Sequence, residues 1–236
     1  AVLGRNTEAL EDLQASLQLL PGDRTSMLHK GILLQKMGRR QEALEVFNEL
    51  LDAGSDDERI LRQKGICLSE LGREREAILA FDRAIHLDPE DMQAIRCKAI
   101  ALTKLGMFEE AVRTLDRALF IEPEDASSLR LRGVALAESG HPRAAIQDFD
   151  RSLRSDPQDW VALRHLGTCL GRLDDHEGAL ETFQKVLELM PGESVALRGR
   201  AAALTNLGRH EEALQDLDRL LATNPNDGPA LLARAQ

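Results

Sequence analysis

One set of positions recurs every 34 residues along almost the whole 236-residue chain, and no insertion breaks the register. The stretch 61–89 serves as the template. Its Leu61 returns as Met27, Ile95, Leu129, Leu163 and Leu197, and its Gly65 as Gly31, Ala99, Gly133, Gly167 and Ala201. Leu68 returns as Leu34, Leu102, Leu136, Leu170 and Leu204, and Ala77 as Ala43, Ala111, Ala145, Ala179 and Ala213. Pro89 recurs as Pro123, Pro157, Pro191 and Pro225 and, past Ser55, as Pro21. Leu61, Gly65 and Leu68 share one helix face, as do Ala77, Phe81 and Ala84. Gly72 separates the two sets and Asp88-Pro89 closes the second. Each period is therefore a pair of short helices, whose apolar faces are buried only against neighbouring pairs.

This pattern resembles the tetratricopeptide repeat, a 34-residue helix–turn–helix unit. Six full repeats fit, at 24–57, 58–91, 92–125, 126–159, 160–193 and 194–227. Gly4, Ala9, Leu13 and Pro21 read as the second helix of an earlier repeat (1–23), and Leu231 and Ala235 as the start of a later one (228–236). The expected fold is all-α, a single right-handed superhelical solenoid of antiparallel helical hairpins. Apolar residues up to both termini predict that this is a segment of a longer protein. The chain departs from the family at its aromatic positions. Leu replaces the first-helix Tyr throughout, and aromatics are 3% of the sequence with no Tyr, which implies a core of Leu, Ala and Ile.

The second helix before repeat 24–57 is expected over Glu8–Leu20. Gly38, Gly72, Gly106, Gly140 and Gly208 are expected to end the first helices in the left-handed conformation, with Asp174 in that place in the fifth repeat. Acidic pairs after the prolines, Glu90-Asp91 and Glu124-Asp125, sit where a carboxylate caps the next helix.

A net charge of −10 argues against a nucleic-acid or anionic-membrane binder. No apolar run approaches the roughly 20 residues that span a bilayer. Three cysteines without a C-x-x-C point to a reduced, cytoplasmic protein. There is no G-x-x-x-x-G-K-[ST], H-E-x-x-H or G-x-S-x-G, so no enzyme and no cofactor is expected. His165 and Cys169 lie four apart near Asp174, Asp175 and His176, a spacing that could hold a metal. Cys169 aligns with the small residues Ala101 and Ala135, which favours a core cysteine and no metal.

One position after Leu61 reads Leu28, then Arg62, Arg96, Arg130, Arg164 and Arg198. In the proteins this chain resembles, that place faces a concave groove that binds extended peptides. Four residues on stand Ile66, Ile100, Val134, Thr168 and Ala202, and His29 and His165 share a groove-facing place. The resemblance thus implies a protein-interaction scaffold whose arginines grip an acidic partner segment, extended or helical, through charge-assisted forks. The family's carboxylate clamp needs Asn where this chain has Ile or Val. The other reading of the ladder is a solvated face, its arginines paired with acids such as Glu70 and Glu138. Two further functions stay open: a substrate-recruiting domain of a larger enzyme, and an element that self-associates end to end. Lastly, bases at 30, 64, 98, 132 and 200 match acids or Asn eighteen residues on (Asn48, Asp82, Asp116, Asp150, Asp218), which predicts ion pairs inside each repeat.

Overall fold

The computed structural model describes residues 2–54 and 56–235, with side chains from residue 6. Ser55 and the surroundings of Gly4 lie outside the described residues. The chain divides into two compact units, 1–121 and 122–236, and the boundary follows the helices of the third full repeat. The first unit holds α1 (Val2–Leu19), α2 (Arg24–Lys36), α3 (Arg40–Asp52), α4 (Glu58–Glu70), α5 (Glu74–Leu87), α6 (Met92–Lys104) and α7 (Phe108–Ile121). The second holds α8 (Ala126–Glu138), α9 (Pro142–Ser155), α10 (Trp160–Arg172), α11 (His176–Leu189), α12 (Ser194–Asn206), α13 (His210–Thr223) and α14 (Gly228–Arg234). Within each unit every helix packs on its chain neighbour, and the first helices α2, α4 and α6, and likewise α8, α10 and α12, also touch in succession. α1 starts six residues before the expected Glu8, and no proline interrupts 2–7.

The first helices end as their sequence requires. Gly72 takes φ 76°, where its N–H reaches Ser69 O, and the Arg73 N–H closes back to Leu68 O at 2.9 Å. In the fifth repeat Asp174 adopts φ 60° and the Asp175 N–H makes the same closure to Leu170 O at 3.0 Å. The hairpin geometry, and not the glycine, therefore imposes the left-handed residue there.

The two helices of a hairpin meet in one register, residue i opposite i+16. A Cβ on Gly133 would stand 2.7 Å from Phe149, and one on Gly65 2.5 Å from Phe81. Four repeats pair glycine with phenylalanine in this way (31/47, 65/81, 133/149, 167/183). The remaining two have Ala99 and Ala201, sixteen residues before Leu115 and Leu217. Volume is thereby held nearly constant where the helices cross, as a close-packed interior demands.

The same register corrects the expected ion pairs. A residue eighteen along is turned roughly half-way round the second helix from the contact at sixteen. Arg132 instead forks onto Asp148, both contacts at 2.7 Å, and Arg200 onto Asp216 at 2.6 and 2.7 Å. Asp82 reaches Lys98 of the next repeat at 2.7 Å, and Asp218 reaches Arg234 at 3.0 Å. Gln184 likewise accepts from Arg200. An acid eighteen residues after one base lies sixteen before the next, so the correlation was real but these pairs tie successive repeats together. The fifth-repeat base is replaced by Leu166, sixteen after Asp150, and loss of water around that carboxyl raises its pKa, with Arg154 opposing.

A candidate partner-binding face

Each first helix begins on an acid that follows the turn closing the repeat before it. Asp91 accepts the Ala94 N–H at 3.0 Å, and Asp159 accepts the N–H groups of Val161 and Ala162 at 3.0 and 3.1 Å. Glu193 accepts from Ala196, and Asp227 from Ala230 at 2.9 Å. These caps satisfy N–H groups that have no partner inside the helix.

The same carboxylates hold the arginine ladder. In the first unit Arg62 pairs with Asp91. In the second, Arg130 Nε lies 2.9 Å from Asp159, Arg164 Nη1 3.5 Å from Glu193, and Arg198 Nη1 3.8 Å from Asp227. The arginine sits one turn into its helix and reaches the start of the adjoining first helix, 29 residues on in sequence. Arg96 has the corresponding place on α6. Glu70 and Glu138, the acids singled out from the sequence, are taken by Arg40 at 2.9 Å and Arg172 at 3.9 Å instead. The ladder's field is thus weaker than its arginines alone suggest. Its guanidiniums, however, are held in place, and their side chains keep 25–37% exposure in the second unit.

The accompanying apolar positions divide. Ile66 and Val134 pack partly onto buried clusters, whereas Ile100 is 38% exposed. Thr168 is half-buried and its hydroxyl donates back to the Arg164 carbonyl at 3.0 Å. His165 turns inward: its ring stacks on Phe149, centroids 6.0 Å apart. The Arg164 Nη2 donates to its Nε2 at 3.0 Å, and a guanidinium has no acceptor, so Nε2 carries no proton. Burial first, then the neighbouring Arg164, Arg130 and Arg172, push the His165 pKa down to about 4 against Asp159. This histidine is neutral near pH 7 and packs the core. Trp160 lies beneath the Arg164 guanidinium, 5.6 Å from ring centroid to Cζ. Cys169 is fully buried, and among the described residues no group of His, Cys, Asp and Glu could hold a metal ion.

The sequence reading missed a cavity of about 360 Å³ between α10 and α12. It exists because Gly199 brings no side chain to the place that His165 fills one repeat earlier. A lone glycine among His29, Gln63, Cys97, Leu131 and His165 was the available signal. A larger hollow of about 650 Å³ lies between the second helices α11 and α13 and is rimmed by charged side chains, including the paired Arg200 and Asp216.

Family models agree with this architecture over nearly the whole length. Two described as "Tetratricopeptide repeat" match residues 98–166 and 172–236, and "Psidin, N-terminal TPR repeats region" matches 3–97. The chain belongs to the tetratricopeptide-repeat family. No curated protein matches this tetratricopeptide-repeat chain significantly in sequence. Among solved structures, a fragment of MamA (41 to the end) from Desulfovibrio magneticus RS-1 is 28% identical with a TM-score of 0.66, covering 73% of this chain and 98% of that one. YrrB, described as a TPR protein with an unusual peptide-binding site, is 23% identical at TM-score 0.67, covering 82% of this chain and all of its own. Cut9, in its complex with Hcn1, is 17% identical at TM-score 0.79, covering 99% of this chain and 46% of that one. The last two speak for the fold alone. Among the described residues no helix is long and apolar enough to cross a membrane.

Proposed function

We propose that this tetratricopeptide-repeat protein is a protein-interaction scaffold whose first-helix face binds an acidic partner segment. The observation that carries the reading is the row Arg130, Arg164 and Arg198 in the second unit, each tethered to the carboxylate that caps the next first helix. A guanidinium has five donors, more than one capping carboxylate can accept. Fixing its orientation beforehand lowers the entropy lost when a second carboxylate arrives.

The test is a peptide array probed with the intact chain at about 50 and 500 mM salt, bracketing the range over which charge screening becomes short. Acidic peptides retained at low salt and released at high salt are expected. Retention that follows neither acidity nor salt would overturn the reading.

A further inference from the structure

We infer that the cavity between α10 and α12 is an anchor site, taking one bulky apolar side chain of a partner segment that carries a carboxylate beside it. The inference rests on the first-helix face being the binding surface, and it adds the position and chemistry of the anchor.

The cavity lies on the side of α12 that presents Arg198 and Ala202, beside Thr168 of α10, and the Phe183 ring forms part of its wall. Its volume of about 360 Å³ is near the lower end of the ~300–1,000 Å³ range of ligand pockets, which suits a side chain better than a cofactor. Three glycines line it, of which Gly167 and Gly199 lie against the Phe183 ring and Gly171 does not. A Cβ on Gly199 would come within 2.4 Å of Phe183 Cζ, so here the ring takes space that a side chain would otherwise occupy. A Cβ on Gly171 would meet nothing nearer than the Ala179 Cβ at 4.0 Å. The corresponding places in other first helices hold Gln35, Ser69, Thr103, Ala137 and Thr205. Gly171 stands in the last turn of α10 with room for a side chain, and its effect here is to keep the cavity open.

The rim selects the charge of the occupant. Arg172, Arg198 and His176 line the cavity and no acid does, in a chain whose net charge is −10. Arg172 is fixed by donating to the Ala137 carbonyl at 2.8 Å, and Arg198 by Asp227. An apolar side chain that enters between them brings its neighbouring residues to two anchored guanidiniums, where a carboxylate is favoured and an ammonium repelled.

The experiment uses fluorescein-labelled twelve-residue peptides of Gly and Ser with a central Leu-Asp-Asp, Ala-Asp-Asp or Leu-Lys-Lys, titrated into the full chain by anisotropy. Leu-Asp-Asp is expected to bind at least tenfold tighter than either of the others. Amide shifts in the 15N-labelled chain are expected to concentrate at Gly171, Gly199 and Ala202. Two filling variants, Ala202→Leu at an exposed wall and Gly171→Leu into open space, should each abolish the preference for Leu over Ala without altering helicity. Equal binding of Leu-Asp-Asp and Ala-Asp-Asp would overturn the anchor and leave the acidic-segment reading standing. Equal binding of Leu-Asp-Asp and Leu-Lys-Lys would overturn the carboxylate requirement. Absence of binding by every peptide up to millimolar concentration would overturn the anchor, while the array decides the broader reading independently.

Discussion

Asp159 divides its two carboxylate oxygens between Arg130 and the start of α10: Oδ2 lies 2.9 Å from the Arg130 Nε, and Oδ1 accepts the Val161 and Ala162 N–H groups. One acid therefore both begins a helix and fastens it to the helix before it. Removing the acid and removing its charge should then have different costs. Asp159→Ala is expected to destabilise by roughly 2–3 kcal/mol, the sum of a lost cap and a half-buried arginine left without its partner. Asp159→Asn keeps the capping oxygen and should cost about 1 kcal/mol. Urea denaturation of the two variants checks the order; equal losses would show that capping contributes nothing.

Glycine and phenylalanine are matched across each of four hairpins, and Ala accompanies Leu in the other two. Gly133→Ala should cost roughly 1–3 kcal/mol by overpacking against Phe149. Phe149→Leu should cost a similar amount by opening space. The double variant recreates the Ala99/Leu115 combination and should recover about 1 kcal/mol or more as a coupling term in a double-mutant cycle. Additive losses would contradict the packing account.

His165 supplies a pH dependence with a defined sign. Its folded pKa of about 4 lies below its ordinary 6.5, so below pH 6.5 the unfolded chain takes up a proton that the folded one refuses. Stability is lost as pH falls through 6.5 toward 4, on the order of 2 kcal/mol by pH 5. His165→Leu, the residue present one repeat earlier at Leu131, should remove this component. Comparing the stability difference between pH 7 and pH 5 in the two proteins tests it, since the carboxylates titrate alike in both.

The charge pairs between repeats should couple Asp82 to Lys98 and not to Lys64. Asp82 is 48% exposed, so the expected coupling is at most about 1 kcal/mol. Arg132→Leu should cost more, about 3 kcal/mol, because it strands Asp148, whose side chain is only 5% exposed. Both follow from chemical denaturation cycles.

The fold was legible in the sequence because a strict 34-residue register repeats the same local instructions: small at Gly65 and Ala77, left-handed at Gly72, broken at Pro89. Asp174 shows how firmly that register dictates backbone even without glycine. The partners of the charged residues were less legible. Sequence spacing paired Asp82 with Lys64, one repeat before the base it meets, Lys98, because period alone does not say which of two flanking helices a side chain meets. The acids facing the arginine ladder were mistaken for the same reason: Asp159 was legible as a cap, but its second oxygen has no sequence signature. The cavity went unread because a single Gly199 is a departure from the repeat, and a repeat-based reading averages departures away.

The most direct test of the partner-binding account is a salt-dependent anisotropy titration of a fluorescein-labelled hexaglutamate peptide. It compares the unaltered chain, the Arg130→Gln/Arg164→Gln variant, and Arg151→Gln, which alters a second-helix arginine paired with Glu124. Binding at least tenfold weaker for the double variant, with a shallower salt slope, and no change for Arg151→Gln are expected. Equal affinity and equal slope in all three proteins would contradict that account.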